Sequence, residues 1–215
     1  MLFKEWCISN KYEKLLDEWN NDKNLGMGIS LDEMEYEAGR KIWWICSKAH
    51  EWKATISHRI NGTNCPYCSN QKILHGYNDL MTLYPYIAEE WHPQKNNSLK
   101  PYDVGAGTSK KVWWLGKCGH EWEAAVNSRT RVQSSGCPYC AGRKVLQGFN
   151  DLKTCFPQIA TTWHPSKNQP LMPAEVTGKS AKCIWWICNE GHEWKHQFIH
   201  GLMGVVALYV QIKLF

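Results

Sequence analysis

Ile42-Trp43-Trp44-Ile45-Cys46-Ser47-Lys48-Ala49-His50-Glu51-Trp52, followed by Cys65-Pro66-Tyr67-Cys68, is the stretch that decides the fold. A thiol and an imidazole stand close together at the end of an apolar run, and a Cys-Pro-x-Cys knuckle follows them. The flanking segments alternate apolar and polar residues around a short turn, which predicts a β-hairpin. The knuckle turns the backbone so that both sulfurs face one point. Three thiolates and one imidazole suit zinc, and a structural zinc site takes four protein donors in a tetrahedron with no open position.

The stretch recurs, and repetition fixes the fold unit. Trp113-Trp114 leads to Cys118, His120, Cys137 and Cys140, and Trp185-Trp186 leads to Cys188 and His192. Upstream of each aromatic pair stands another tryptophan, and Trp19, Trp91 and Trp163 are spaced 72 residues apart. Gly-Tyr/Phe-Asn-Asp-Leu, beginning at Gly76 and Gly148, lies between copies. The division is therefore 1–74, 75–146 and 147–215, each copy a small α+β module with a short helix, a β-hairpin and a Cys-x-x-Cys knuckle. Asn78 or Asp79, and Asn150 or Asp151, stand where a helix N-cap is expected, with Pro85 and Pro157 punctuating the following helices. Lys111–Leu115 and Glu121–Val126 read as strands joined by a tight turn at Gly119, and 105–109 reads as loop.

Copy two departs from copy one. Gly116 stands at the position of Cys46, and the thiol moves to Cys118. Modules of about 70 residues sit near the size at which an apolar core alone is marginal, so a metal staple has a physical motive. The predicted ligands are Cys46, His50, Cys65 and Cys68 in copy one and Cys118, His120, Cys137 and Cys140 in copy two. Two full Zn2+ sites follow, with Cys188 and His192 as an incomplete third. A thioredoxin-type dithiol is a poorer reading of Cys65/Cys68, because the βαβ context is missing. Cys7, Cys155 and Cys183 fit no ligand pattern and are expected to be small buried hydrophobes.

Pro-x-Ile-Ala-x-x-Trp-His-Pro-x-Lys-Asn, Trp-Trp, Gly-His-Glu-Trp and Cys-Pro-Tyr-Cys together resemble the "probable zinc-ribbon domain" family, a tandemly repeated bacterial and viral treble-clef module. The resemblance runs to Lys195. It implies zinc at the four positions named in each copy and no enzyme activity; nucleic-acid binding comes with it only as a presumption.

After Lys195 the chain turns mostly apolar and carries no Cys-Pro-x-Cys. The segment from Gly201 is too short for a membrane helix. One base restored before residue 196, with codons chosen from those the tail permits, reads through Cys-Pro-Leu-Cys in the next frame, so 196–215 is expected to be a frameshifted end of a third copy. His192-Glu193-Trp194-Lys195-His196 matches the His-Glu-x-x-His protease pattern, which needs one helix face. The sister copies have Ala54 and Ala124 where His196 stands, and their surroundings read as strand.

Composition bounds the function. Of 215 residues, 25 are Lys or Arg and 20 Asp or Glu, a net charge of +5 that permits an anionic partner without the basicity of a dedicated nucleic-acid binder. No basic region followed by an apolar run opens the chain, so reduced cysteines and a cytoplasmic location are expected. No nucleophile–base set repeats, so no enzyme and no small-molecule substrate are expected. Lys41, Arg59, Lys72, Lys110, Lys111, Arg129, Arg131, Arg143 and Lys144 recur around the hairpins and knuckles and are the candidate phosphate contacts of a DNA- or RNA-binding array. Of each Trp pair one member is expected inside, and the other could stack on unpaired bases. A protein-interaction scaffold or nuclease accessory is the alternative, and neither membrane nor small molecule is an expected partner.

Overall fold

The computed structural model describes residues 1–197. Each Trp-Trp/His-Glu-Trp stretch forms a two-stranded antiparallel hairpin: β1 (Ile42–Ile45) with β2 (Glu51–Ala54), β3 (Lys111–Leu115) with β4 (Glu121–Ala125), and β5 (Cys183–Ile187) with β6 (Glu193–Gln197). The register is shared, since Trp44 opposes Trp52, Trp114 opposes Trp122 and Trp186 opposes Trp194. Gly119 and Gly191 take positive φ in the connecting turns, at 78° and 83°.

Side chains alternate along a strand, and this decides the doublets. Trp44, Trp114 and Trp186 are fully buried while Trp43, Trp113 and Trp185 are half-buried. The upstream tryptophan of each copy adds a third short contact. Trp19, Trp91 and Trp163 bridge to Trp44, Trp114 and Trp186, with rings meeting edge to face at 6.1, 5.6 and 5.7 Å. Edge-to-face pairs of this kind add about 0.5–1.5 kcal/mol beyond burial of their area.

Short helices close the modules. Ile56–Ile60 and Val126–Thr130 follow the second strand, so Val126, expected as strand, starts a helix and buries completely. Asp79 caps Leu80–Leu83 by accepting from the Thr82 N–H at 2.8 Å, and Asp151 caps Leu152–Cys155 from Thr154 at 2.9 Å. Pro85–Ala88 and Pro157–Ala160 restart the helical run after each proline.

The described residues divide into two compact units, one of residues 1–88 and 99–106, the other of 89–98 and those from 107 onward. The sequence boundary at 74/75 does not coincide with them. Asn78 donates to the Tyr67 and Lys72 carbonyls of the first knuckle, which ties the linker to the module that precedes it. Among the described residues no helix is long and apolar enough to cross a membrane. The apolar run from Gly201, and the frameshift reading beyond residue 197, lie outside the described residues. His196 opposes Ile184 in β6 as Ala54 opposes Ile42 and Ala124 opposes Val112.

Candidate metal centres

The first ligand pair of each module sits on the hairpin turn. In copy one the Cys46 N–H donates to the His50 carbonyl at 3.0 Å and the Ala49 N–H to the Cys46 carbonyl at 2.8 Å, which curls the turn so that both side chains converge. The knuckle brings the other two thiols: Ser69 N–H donates to Cys65 O at 3.1 Å, and Gln71 and Lys72 N–H groups both donate to Pro66 O.

The donor set fits zinc. Bonds of about 2.3 Å to sulfur and about 2.0 Å to nitrogen at tetrahedral angles place an Sγ and an Nδ1 about 3.5 Å apart, and two Sγ atoms about 3.8 Å apart. In copy one, His50 Nδ1 lies 3.2 Å from Cys68 Sγ and 3.6 Å from Cys65 Sγ, and Cys46 and Cys68 sulfurs are 3.8 Å apart. In copy two, His120 Nδ1 lies 3.5 Å from Cys137 Sγ and 3.4 Å from Cys140 Sγ. Within each quartet every donor atom is within 4.8 Å of every other. These are the spacings of a tetrahedral ion's ligands.

Copy two reaches this geometry by another route. A Cβ built on Gly116, the position of Cys46, would meet Cys118 Sγ at 3.1 Å and the Trp122 ring at 2.9 Å. The Cys118 sulfur therefore fills the space that a side chain at 116 would take, and the absent side chain lets it in.

Without metal the thiols differ. Burial pushes the Cys46 and Cys118 thiols up, but N–H groups of the turn and the neighbouring thiols outweigh it and hold both below the ordinary range. Burial pushes Cys65 to about 11, and desolvation together with the Cys118 and Cys137 sulfurs pushes Cys140 to about 11. Neighbouring thiolates repel, so each cluster keeps protons until a cation replaces them.

An aromatic ring closes each site from the following linker. Tyr77 packs on His50 at 4.1 Å and Phe149 on His120 at 4.3 Å. Asn78 fixes the linker by donating to the Tyr67 and Lys72 carbonyls at 3.0 and 2.9 Å and accepting from Leu74 N–H at 2.7 Å. Asn150 repeats all three contacts in copy two.

A family model described as "Probable Treble clef zinc finger domain" matches residues 15–71, 87–143 and 159–200, more than half of the chain. The chain belongs to this family. Each treble-clef match begins at or before the upstream tryptophan, and the first two end just after the knuckle; the third ends beyond the described residues. No curated protein matches the chain.

In the third treble-clef copy, Cys188 Sγ and His192 Nδ1 are 3.4 Å apart on the same kind of turn. The His-Glu-x-x-His pattern lies on strand β6, not on a helix, and Glu193 is held by His164 and Lys167.

Two basic candidates are corrected. Arg59 and Arg129 are only 4% and 5% exposed. Arg59 pairs with Glu18 and lies over the Trp44 and Trp52 rings; Arg129 pairs with Glu90 at 2.5 Å and lies over Trp114 and Trp122 at 4.8 and 5.2 Å. Buried guanidinium groups stacked on the core cannot reach a phosphate. Lys41, Lys72, Lys110, Lys111, Arg131, Arg143 and Lys144 are exposed. Cys155 and Cys183 are exposed too, against expectation, while Cys7 is buried. Cys183 takes the strand position of Lys41 and Lys111, which faces solvent.

Sequence reasoning missed a repeated charged cluster. Asn20, His92 and His164, the residues after the upstream tryptophans, contact Glu51, Glu121 and Glu193 at 2.7, 3.0 and 2.7 Å. Lys23, Lys95 and Lys167 bind the same carboxylates and lie over the Trp43, Trp113 and Trp185 rings at 4.4, 4.6 and 4.5 Å. The lysine hydrogen bonds hold Glu121 and Glu193 below the usual carboxylate range, and those of Lys23 and Asn20 do the same for Glu51. The recurrence of Trp-His-Pro-x-Lys with His-Glu-Trp was the available signal. These ammonium groups cover the half-buried tryptophans that had been candidates for base stacking.

Proposed function

We propose that this tandem treble-clef chain is a non-enzymatic zinc-holding array that binds nucleic acid, DNA in the first instance, through its phosphates. One observation carries the reading: the cations fall into two groups. Arg59, Arg129, Lys23, Lys95 and Lys167 are engaged by carboxylates and tryptophan rings. Lys41, Lys72, Lys110, Lys111, Arg131, Arg143 and Lys144 are exposed, and among the described residues none of them forms a salt bridge. They recur in place, since Lys111 opens the first strand of its hairpin and Lys41 directly precedes that of its own, and Lys72 and Lys144 each stand four residues after the last knuckle cysteine. Cations without a carboxylate partner among the described residues, at the same point of successive modules, suit a polyanion of regular charge spacing, and phosphate contacts release counterions on binding. The zinc ions hold the scaffold, and the chain's own lysines and arginines meet the phosphates.

Fluorescence anisotropy of the zinc-loaded chain with labelled duplex DNA at several salt concentrations tests this. The expected affinity falls steeply with salt, and Lys110→Ala/Lys111→Ala/Lys144→Ala lowers the slope of log K against log salt by about one per contact removed. No binding at low salt refutes it. A protein-interaction scaffold is the second reading, favoured by the exposed Met81, Leu83 and Tyr86 at 43%, 49% and 62%.

A further inference from the structure

The two metal clusters repeat each other in donors but not in surroundings. In copy one the first thiol comes from the first residue of the hairpin turn, Cys46, which is half-buried. Cys65 is buried, so Cys68 is the one exposed sulfur of that quartet. Copy two draws its first thiol from the third residue of the turn, Cys118. That position faces solvent in both copies, since the exposed Lys48 holds it in copy one. Cys118 and Cys140 are therefore both exposed, with Cys137 half-buried. The move that Gly116 permits carries a sulfur from the inside of the turn to its outside.

The exposed sulfur of copy one is also the one that is shielded. Tyr77 packs its ring on His50 at 4.1 Å and donates its hydroxyl to Cys68 Sγ at 3.9 Å, and Lys48 Nζ donates to the Tyr77 oxygen at 3.0 Å. Three thiolates around a divalent cation leave a cluster one negative charge. A hydroxyl aimed at the sulfur, with an ammonium behind it, draws that charge away from an attacking electrophile. Copy two has neither group at these positions. Phe149 replaces Tyr77 and packs on His120 at 4.3 Å, and Cys118 itself stands where Lys48 stands. The ring that covers the second imidazole has no hydroxyl to offer Cys140.

We propose that Cys118 and Cys140 are an oxidation site of the chain, converted by hydroperoxides to a disulfide, while the first cluster is a resistant staple. The proposal rests on the zinc-holding reading of both quartets. Thiolates are the reacting form of cysteine, and metal ligation supplies them at neutral pH. The Cys140 thiolate attacks the outer oxygen of a hydroperoxide; the O–O bond breaks, an S–O bond forms, and the departing oxygen takes a proton from solvent. The Cys118 sulfur, within 4.8 Å, then attacks the sulfenic sulfur, so that an S–S bond forms and hydroxide leaves to take a second proton. The two thiolates lose two electrons, and the hydroperoxide gains them to become an alcohol and a water. Loss of two of the four donors frees the ion and unstaples the second module alone.

Adding hydrogen peroxide to the full chain carrying two zinc ions tests the assignment. Metal content is measured first, and a chain isolated without its two ions overturns the zinc-holding reading together with the proposal. Zinc release to a chromophoric chelator is followed with and without peroxide, and oxidised cysteines are mapped by peptide mass spectrometry. Under peroxide the expected result is one ion lost about tenfold faster than the other, with a Cys118–Cys140 linkage and with Cys46, Cys65 and Cys68 still reduced. Tyr77→Phe keeps a ring on His50, as copy two does with Phe149. It should speed peroxide-driven release from the first cluster by about tenfold and leave release without peroxide unchanged. Loss of both ions at one rate overturns the proposal, as does earlier loss from the first cluster. So does a linkage from Cys140 to Cys155 or Cys183, whose thiols are also exposed. A Tyr77→Phe chain whose peroxide-driven rate is unchanged, or whose two rates rise together, overturns the shielding by Tyr77 on which the proposal stands.

Discussion

Replacing Arg129 separates a structural arginine from a phosphate-binding one. Its guanidinium is 5% exposed, pairs with Glu90 at 2.5 Å and stacks between Trp114 and Trp122. Removing one partner of a buried ion pair costs about 3–5 kcal/mol, because the other charge stays behind without compensation. The Glu90 side chain keeps 21% exposure and recovers some hydration, which puts the loss near the lower end of that range. Two desolvated cation–π contacts add about 1–2 kcal/mol. Nε and Nη1 are buried and have no partner among the described residues, so their own desolvation cost disappears with the side chain and offsets part of the total. Arg129→Ala is thus expected to destabilise the second hairpin by about 3 kcal/mol. Arg129→Lys should recover little of this, since an ammonium neither stacks on two rings nor forks to a carboxylate. Hydrogen exchange by mass spectrometry on peptides spanning β3 and β4 reads the loss where it arises, with β1 and β2 as the internal reference. Nucleic-acid affinity of the fraction that remains folded should not change. Unaltered exchange in β3 and β4, together with weakened DNA binding by Arg129→Lys, would refute the reasoning and return Arg129 to the phosphate contacts.

Metal analysis of the purified chain should give two tightly held zinc ions, and a strong chelator should abolish the hairpin dichroism; a chelated chain that stays folded contradicts the stapling argument. Gly116→Ala places a methyl 2.9 Å from the Trp122 ring and 3.1 Å from Cys118 Sγ, so it should cost about 1–3 kcal/mol and weaken zinc at the second site while sparing the first, as competition with a chromophoric chelator would reveal. Burial raises the Cys7 thiol to about 11, with Glu13 adding to it. A raised folded-state value means stability that is intact below the unfolded value near 9 and is lost as pH climbs toward 11; urea midpoints of the zinc-loaded chain should fall across that window more steeply than those of Cys7→Ala. Asn150→Ala removes the donor to the Tyr139 and Lys144 carbonyls at 2.7 and 2.9 Å and should speed zinc loss from the second site about tenfold or more, measured by stopped-flow transfer to a chelator.

The metal quartets, the hairpins and the helix caps were legible because each rests on local chemistry. A knuckle, a two-residue alternation and an Asp before an apolar turn act within a few residues, and the repeat supplied an internal control. The arginines were misread for the opposite reason. Arg59 lies 41 residues from Glu18 and Arg129 lies 39 from Glu90, and only the folded module brings each pair together over the tryptophans. Recurrence of a basic residue at equivalent positions signals a shared need, and here that need is a charge inside the core. The same holds for Lys23, Lys95 and Lys167, whose carboxylate partners lie 26 to 28 residues away. Cys155 and Cys183 were misjudged because a cysteine's burial depends on which face of its element it occupies, and composition is silent on that.

The linker explains why the repeat is longer than its metal site. Asn78 binds the carbonyls of Tyr67 and Lys72 in the knuckle, and the next residue, Asp79, accepts from Gly76 N–H at 2.7 Å and caps Leu80–Leu83. Those hydrogen bonds hold the Asp79 carboxyl below its usual range although burial opposes them. Leu80 N–H then donates to Val104 O at 2.8 Å, which draws residues 99–106 into the same compact unit as the first metal cluster. Asn150, Asp151, Leu152 and Val176 repeat the series after the second cluster. The residue that ties each linker to its knuckle therefore stands directly before the N-cap of the helix that opens the next copy, so one short segment closes a metal cluster and starts the following repeat.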